Sequence, residues 1–238
     1  MLSLLPVAIL AGGLATRLRP LTDGKPKSLL TVAGRPFILH QLELLRAQGV
    51  ERIVLCLAHL GEQIRAAVEG ALVPGLSVSY SFDGPSLLGT GGALRAALPL
   101  LGEEFFVLNG DSYLPCSLPR IQAAYRAAAR PALMTVMRND NCWDRSNVRF
   151  SDGRLLAYDK RAPQPHMSHI DFGLSVLSRG VFDRYAHVGV LDLADVLHDL
   201  VQRSELAAFE VSERFYEIGS PQGLRDTEEF LSRQVTRA

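Results

Sequence analysis

Two glycines and two cations near the amino terminus are the residues of this sequence best suited to chemistry. The apolar residues 4–10 lead directly into Gly12 and Gly13, and Arg17 and Lys27 follow. Because glycine has no Cβ, backbone N–H groups in such a turn can approach a ligand closely and form a concave anion site. Arginine and lysine beside that turn suit the charge of a polyphosphate. The segment therefore predicts a nucleoside triphosphate site at the edge of a parallel sheet.

Asp111 is the carboxylate that could complete such a site. It follows the apolar residues 105–108 and comes directly after Gly110. A carboxylate in this position is either a helix N-cap or a metal ligand, and Ser112 and Tyr113 do not begin a helical pattern. Mg²⁺ takes one or two carboxylates together with phosphate oxygens and water. We therefore predict that Asp111 is a ligand of a magnesium ion facing the triphosphate.

The elements that must position these residues alternate along the first half of the chain. This alternation predicts a parallel sheet with helices on both faces, a Rossmann-like α/β fold. Ligands of such sheets bind at the carboxyl ends of the strands, which places Gly12, Gly13 and Asp111 on one rim. The predicted strands are 4–10, 52–57, 76–82, 105–108 and 132–137, and the predicted helices are 37–48, 62–69, 92–98 and 118–129.

The second half of the chain has a different pattern, in which strands are added to the same sheet. Asp152-Gly153 between two apolar runs is typical of a hairpin turn. We predict a single domain over 1–238, with a nucleotide-binding part at about 1–115 and a second part at about 116–238. The predicted elements are the hairpin strands 148–150 and 155–158, the strand 170–177, helices at 179–185 and 193–204, a strand near 214–218, and a helix opened by Ser220-Pro221.

Charge and cysteine content narrow the class of protein. The formal net charge of the 238 residues is zero, so no basic field favours nucleic acid or a membrane surface. The cysteines are three, an odd number, and widely spaced, which favours a reducing compartment and hence the cytoplasm. The apolar amino terminus is shorter than the roughly 20 residues that span a bilayer, so we interpret it as a core strand. The oligomeric state is left open, a homo-oligomer included.

The whole of residues 8–29 resembles the signature of the sugar-phosphate nucleotidyltransferases, also called NDP-sugar pyrophosphorylases. That signature combines the glycine turn, Thr16-Arg17-Leu18 and Pro26-Lys27. The short single-domain members, such as the heptose-1-phosphate and mannose-1-phosphate guanylyltransferases, resemble this chain most. Further blocks follow in the order of the family, at 88–94, 108–111, 170–174 and 215–221.

The resemblance implies the Mg²⁺-dependent reaction of a nucleoside triphosphate with a sugar 1-phosphate, giving an NDP-sugar and pyrophosphate. It implies that Arg17 binds the triphosphate and the leaving pyrophosphate, and that Lys27 binds the α-phosphate and the sugar phosphate. It implies metal ligation by Asp111 and Glu217, although Glu217 stands where the family usually has aspartate. The nucleotide-binding residues that it implies are Leu10, Ala11, Gly12, Gly13, Thr16, Asp83, Gly89 and Thr90.

The second glycine loop, 89–92, allows two interpretations. It opens a predicted helix, whose N-terminal N–H groups could bind an anion. The resemblance instead places the loop against the nucleobase.

On the sugar side, carboxylates are suitable acceptors for the hydrogen bonds of vicinal hydroxyls. Asp159-Lys160 matches the Glu-Lys pair of the family only in part. The resemblance implies that the part at about 116–238 is the sugar-binding part. The sugar-binding residues that it implies are Asn109, Asn147, Asp159, Asp171 and Gly173.

The predicted substrates are GTP and a heptose or mannose-type 1-phosphate. The alternatives are UTP or dTTP with a hexose or muramate 1-phosphate, a cytidylyltransferase acting on a non-sugar phosphate, and a non-catalytic relative. The sugar-type blocks around Asp171 and Glu217 argue against a non-sugar acceptor. The presence of Arg17, Lys27 and Asp111 argues against a non-catalytic protein.

Overall fold

The computed structural model describes residues 3–13, 18, 22–71 and 73–235. Its strands are β1 (Val7–Leu10), β2 (Thr31–Val32), β3 (Arg35–Pro36), β4 (Arg52–Leu57), β5 (Ser77–Phe82), β6 (Glu104–Asn109), β7 (Ser112–Tyr113), β8 (Ala132–Arg138), β9 (Val148–Ser151), β10 (Arg154–Tyr158), β11 (His169–Ser178), β12 (Leu206–Val211) and β13 (Tyr216–Glu217). Its helices are α1 (Phe37–Ala47), α2 (Gly61–Ala71), α3 (Gly89–Leu101), α4 (Leu118–Ala128), α5 (Leu193–Gln202) and α6 (Pro221–Val235), with 3-10 helices at Lys27–Leu29 and Arg179–Tyr185.

One nine-stranded sheet forms the centre of the protein. Its order is β10-β9-β11-β6-β1-β4-β5, and β8 pairs with both β11 and β12. The strands β5, β4, β1 and β6 are mutually parallel, whereas β10 and β11 run against the shared direction. This arrangement confirms the predicted α/β fold with a mostly parallel sheet.

Two hydrophobic cores lie on the two faces of the sheet. Successive side chains of a strand point to opposite faces, so Val7 and Ile9 join one core while Ala8 joins the other. The helices α1, α2 and α4 bury their apolar faces in the first core, and α3 and α5 in the second. Helices therefore cover both faces, as the sequence predicted.

The register of the parallel strands brings their carboxyl ends together. Leu10, the last residue of β1, pairs with Cys56 of β4 and with Asn109 of β6. The chain continues from these ends into Gly12-Gly13 on one side and Gly110-Asp111 on the other. Two of the segments with predicted chemistry therefore lie side by side on one rim.

The structure differs from the predicted elements at several points. The helix predicted over 92–98 is longer in the structure, where α3 begins at Gly89 and ends at Leu101. Pro99 lies inside α3 and has no N–H, so one helical hydrogen bond is missing near the end of the helix. The segment 179–185 is a 3-10 helix rather than an α-helix. The strand β12 was not predicted, and it pairs in parallel with β8 at an edge of the sheet. Its pairing is long-range, and its alanines give a weak strand pattern.

A small second sheet supports the Asp111 segment. Here β7 and β13 pair in antiparallel fashion, and the Ile218 N–H donates to the Asp111 carbonyl at 2.9 Å. The helix α6 packs behind this pair through Leu231, which joins Tyr113 and Ile218 in a third apolar cluster. The carboxy-terminal segment thus fixes the backbone beside Asp111. In the ranges that the structure describes, no helix has the length and apolar character to cross a membrane.

Candidate active site

A cleft of about 350 Å³ opens at the carboxyl ends of β1, β4 and β6. Most of the residues predicted to bind nucleotide meet there, whereas Thr16 and Arg17 lie outside the residues that the structure describes. The predicted residues that line the cleft are Leu10, Ala11, Gly12, Gly13, Lys27, Asp83, Gly89, Thr90, Asn109 and Asp111. The lining residues that were not predicted are Ser28, Cys56, Leu87, Ala93, Gly110 and Lys160.

Gly110 explains why the two strand ends can approach so closely. Its N–H donates to the Leu10 carbonyl at 3.0 Å. A Cβ at this position would lie 2.9 Å from the Cα of Ala11 and would also collide with the Leu10 carbonyl. Only glycine therefore lets the Asp111 segment lie directly against the end of β1.

An ion pair between Lys27 and Asp111 lies at this junction. The Lys27 Nζ is 2.7 Å from the Asp111 Oδ2, and the two side chains are 17% and 28% exposed. Lys27 is held by the 3-10 helix at Lys27–Leu29, and Asp111 directly precedes β7. The cleft thus contains a cation that can bind a phosphate and a carboxylate that can bind a cation.

Gln41 fixes the backbone on both sides of Asp111 through hydrogen bonds, a role that was not predicted from the sequence. This α1 residue is 1% exposed, and its Nε2 donates to the carbonyls of Ser112 at 2.7 Å and Asn109 at 3.1 Å. These two carbonyls flank Gly110 and Asp111. The signal in the sequence was an amide within an apolar helix, because a buried polar side chain needs partners.

Glu217 lies next to this segment in the sheet, but its carboxylate faces elsewhere. It accepts hydrogen bonds from the Ser220 hydroxyl at 2.6 Å and from the Gly219 N–H, at the start of α6. Gly223 leaves room for this carboxylate, since a Cβ there would overlap it. Both Glu217 oxygens are therefore engaged away from the cleft, and Glu217 does not line it.

Asp111 is a carboxylate of the cleft that could be a ligand of a magnesium ion. In the described part of the chain, no three or more histidine, cysteine, aspartate or glutamate side chains form a metal-binding group. Mg²⁺ bound with a nucleotide needs one or two protein carboxylates, because phosphate oxygens and water supply the other ligands. Asp111 fits this requirement, whereas the Glu217 carboxylate does not fit it in its observed orientation.

The glycine loop at the start of α3 packs against Leu191. The N–H groups of Gly91 and Gly92 both donate to the Leu191 carbonyl, at 2.8 and 3.0 Å. Gly89 has φ +76°, and a Cβ on it would lie 2.5 Å from the same carbonyl oxygen. The N–H groups of Gly91 and Gly92 are therefore not available to an anion, which leaves contact with the nucleobase as the prediction for this loop.

Thr90 and Asp83 line the cleft, and their side chains also form hydrogen bonds with neighbouring segments. The Thr90 hydroxyl donates to the Asp192 Oδ1 at 2.9 Å and accepts from the Leu193 N–H at 2.8 Å. One Asp83 oxygen accepts from the Leu88 N–H at 3.0 Å. These hydrogen bonds fix Thr90 and the residue that precedes the glycine loop.

The predicted sugar-side residues form a connected group beside Asn109. The Asp171 Oδ1 accepts from the Gly173 N–H at 3.0 Å, and the Asn147 Oδ1 accepts from the Asp171 N–H at 2.9 Å. Gly173 lies at an irregularity of β11 with φ +90°, where a Cβ would be 3.0 Å from the Asn109 Nδ2. In this group only Asn109 lines the cleft.

The charge state of Asp171 is set by its surroundings. Burial raises the pKa of Asp171 above its ordinary value, and the Gly173 N–H and the positive charge of Lys160 oppose that rise. The Tyr158 hydroxyl lies 3.5 Å from the other carboxylate oxygen. Lys160 is therefore close enough to Asp171 to act on its ionisation.

Lys160, rather than Asp159, lines the cleft. From the sequence, Asp159 was expected in the sugar site and Lys160 only as its neighbour. In the structure the Asp159 carboxylate accepts hydrogen bonds from the backbone N–H groups of Arg161 and Ala162. The signal for Lys160 was present in the Asp-Lys pair, but residue type alone did not show which of the two side chains faces the cleft.

The fold and the sequence are similar to those of known proteins. The crystal structure of HddC from Yersinia pseudotuberculosis complexed with GMP-PN is 25% identical, with a TM-score of 0.81 over 96% of this chain and 100% of that one. The D-glycero-alpha-D-manno-heptose 1-phosphate guanylyltransferase of Campylobacter jejuni is 24% identical over 215 residues, 90% of this chain and 94% of the relative.

The chain is also similar to a longer relative, and a family model matches it. The mannose-1-phosphate guanylyltransferase catalytic subunit beta of Drosophila melanogaster is 28% identical over 218 residues, 90% of this chain. This chain spans only 59% of the length of that relative. The model of the nucleotidyl transferase family matches residues 7–146, which include the glycine turn, Lys27 and Asp111. Since this match takes in more than half of the 238 residues, the chain belongs to the nucleotidyl transferase family.

Proposed function

We propose that this protein transfers the nucleotide of a nucleoside triphosphate to a sugar 1-phosphate and releases pyrophosphate. A phosphate oxygen of the sugar 1-phosphate forms a bond to the α-phosphorus, and the bond from that phosphorus to the departing pyrophosphate oxygen breaks. The observation that carries the proposal is the Lys27–Asp111 ion pair, at 2.7 Å, in a cleft bordered by the Gly12-Gly13 turn. Family membership supports the same reaction class.

The side chains of the chain act in this reaction by positioning and by stabilising charge. Phosphoryl and nucleotidyl transfers need little covalent participation from the protein. Lys27 is the cation for the α-phosphate, whose charge it stabilises as the new bond forms. Lys160, which also lines the cleft, is a second cation for the sugar phosphate beside Lys27. Arg17 stays a prediction for the triphosphate and the leaving pyrophosphate.

Asp111 is the residue that would hold a magnesium ion in this cleft. Its carboxylate is 28% exposed. When bound with the triphosphate, Mg²⁺ would neutralise part of the charge of the phosphates. Lys27, released from its partner, would then be free to bind phosphate.

GTP and a heptose or mannose-type 1-phosphate are the proposed substrates. The names of the two guanylyltransferase relatives support this choice, and so does the complex of HddC with GMP-PN. The sugar would lie near Asn109, which lines the cleft and whose side-chain oxygen can accept a hydrogen bond from a hydroxyl.

The test is a matrix of the common nucleoside triphosphates against a panel of sugar 1-phosphates, with Mg²⁺, read as pyrophosphate release. We expect turnover with GTP and a heptose or mannose 1-phosphate. Turnover with UTP or dTTP alone would support the reaction class but contradict GTP as the nucleotide substrate. Turnover only with CTP and a non-sugar phosphate would overturn the sugar acceptor, and no pyrophosphate from any combination would overturn the proposal as a whole.

A further inference from the structure

The segment that carries Lys160 is fixed by hydrogen bonds of its neighbour Asp159. The Asp159 Oδ1 accepts from the N–H of Arg161 at 2.9 Å and from the N–H of Ala162 at 2.8 Å. The Asp159 N–H donates to the Asn147 carbonyl at 3.0 Å. An aspartate that bonds to backbone N–H groups two and three residues ahead forms an Asx turn. Lys160 is thus the residue enclosed by this turn.

The residues around the turn point in different directions. Arg161 pairs with Asp195 of α5 at 2.7 Å, on the outer surface. Lys160 lines the cleft. The pKa of Asp192 lies below its ordinary value. Partial burial raises this pKa, but hydrogen bonds from the Ala194 N–H and the Thr90 hydroxyl, and the charges of Lys160 and Arg161, lower it by more. The turn therefore separates a surface arginine from a lysine directed to the cleft.

We infer that Asp159 is a positioning residue for Lys160 and does not bind the sugar through its carboxylate. The inference rests on the proposed function, in which Lys160 binds the sugar phosphate. It departs from the role that family resemblance implies for this carboxylate. The hydrogen bonds from Ala162 and Arg161 also lower the pKa of Asp159, as expected for a carboxylate engaged by backbone donors.

Two substitutions separate a turn-forming residue from a sugar-binding carboxylate. In Asp159→Asn the side-chain oxygen stays at the same distance from the backbone and can form the same turn, but the charge is lost. In Asp159→Glu the charge stays, but the extra methylene moves the oxygens away from the two N–H groups. The positioning role therefore predicts that Asp159→Asn is tolerated and Asp159→Glu is not, whereas a sugar-binding carboxylate predicts the reverse.

The experiment measures pyrophosphate release with the sugar 1-phosphate varied at saturating nucleotide. For Asp159→Glu and Asp159→Ala we expect the KM for the sugar 1-phosphate to rise about tenfold, with the KM for the nucleotide unchanged. For Asp159→Asn we expect both constants to stay within about twofold of wild type. Asp195→Glu, which adds a methylene to a nearby surface aspartate, is the matched control and should leave both constants unchanged.

A double-mutant cycle tests whether Asp159 acts through Lys160. Lys160→Met alone should raise the KM for the sugar 1-phosphate. Adding Asp159→Glu to Lys160→Met should then have little further effect, because the positioned group is gone. A full additional loss in the double variant would overturn the inference, as would a tolerated Asp159→Glu with an impaired Asp159→Asn.

A measurement without substrate keeps this inference separate from the proposed reaction. NMR spectra of the full chain report the amide protons of Arg161 and Ala162 and the side-chain methylenes of Lys160. Asp159→Glu should shift all three sets of signals, and Asp159→Asn should leave them near their wild-type positions. Unshifted signals in Asp159→Glu would overturn the positioning role. An inactive wild type with these signal changes would overturn only the proposed reaction.

Discussion

The Nζ of Lys27 lies 2.7 Å from the Oδ2 of Asp111, in the cleft formed where β1 and β6 end. The two residues are 84 positions apart in the sequence, and their opposite charges form a partly buried ion pair. In the proposed reaction, a bound phosphate would compete with Asp111 for Lys27, and a bound magnesium ion would compete with Lys27 for Asp111. This pair is therefore both a structural contact and the proposed centre of the chemistry.

Replacement of Lys27 should remove turnover without removing the fold. Lys27→Ala would lose the cation that we propose stabilises charge on the α-phosphate, and we expect kcat to fall about 100-fold or more. The exposed neighbour Lys25 has the same charge in the same segment but does not line the cleft, so Lys25→Ala should retain wild-type kcat. Steady-state pyrophosphate release measures both variants. Equal losses in the two would show that only the overall charge of the segment matters.

Gln41 should contribute to both stability and turnover through the Asp111 segment. Gln41→Leu removes the donor to the buried Ser112 carbonyl and to the partly buried Asn109 carbonyl, which we expect to lower the free energy of unfolding by about 1–3 kcal/mol. Gln41→Glu should be worse, because an ionised carboxylate cannot donate to a carbonyl. Urea unfolding gives the free energies, and pyrophosphate release gives the accompanying loss of kcat. Wild-type values for Gln41→Glu would contradict this role.

Gly110 should tolerate no side chain, in contrast to Gly13. Gly110→Ala forces a Cβ into the backbone of Leu10 and Ala11, and overpacking of this kind costs about 1–3 kcal/mol. Among the residues that the structure describes, none has a heavy atom within 4 Å of a Cβ placed on Gly13, so Gly13→Ala should leave the melting temperature unchanged. Thermal unfolding of the two variants checks this contrast. Similar melting temperatures would mean that the strand ends do not meet as closely as described.

The pKa of Asp171 predicts a pH-dependent effect on stability. Because burial raises the pKa of this carboxyl in the folded state, the folded state holds the proton more tightly than the unfolded state does. The ionised group thus lowers stability above its folded pKa, and this cost disappears as the pH falls below the ordinary aspartate value of about 3.9. Asp171→Asn should therefore be more stable than wild type at neutral pH and lose that advantage in acid.

Urea unfolding of wild type and Asp171→Asn over a pH series measures this difference. The asparagine oxygen can still accept a hydrogen bond from the Gly173 N–H. The difference in stability between the two proteins therefore reports the effect of the Asp171 charge. A variant that is less stable than wild type at neutral pH, with the difference growing as the pH rises, would contradict the raised pKa.

The shared rim of the site could be predicted from the sequence because it depends on local patterns. The apolar runs before Gly12 and Asp111 indicated parallel strands, and parallel strands end on the same edge. The structure confirms that both segments line one cleft. The nearly correct bounds of α1 and β4 likewise follow from short-range periodicity.

The directions of individual side chains could not be predicted, because they depend on contacts distant in the sequence or on the exact course of a turn. Glu217 faces the start of α6 because Ser220 and Gly219 bind its carboxylate. The N–H groups of Gly91 and Gly92 are used by Leu191, about 100 residues away. Asp159 and Lys160 are adjacent in sequence, but an Asx turn sends only the lysine to the cleft.

The most direct measurement is pyrophosphate release by wild type and by Asp111→Asn, with GTP, Mg²⁺ and mannose or heptose 1-phosphate. Asparagine keeps the size of Asp111 but removes the charge that pairs with Lys27 and would hold the cation. We expect steady pyrophosphate and GDP-sugar formation by wild type and about 100-fold less by the variant, which should still unfold in one cooperative thermal transition. Equal turnover by the two proteins, or no pyrophosphate from wild type with any nucleotide and sugar phosphate, would contradict the proposed reaction at this ion pair.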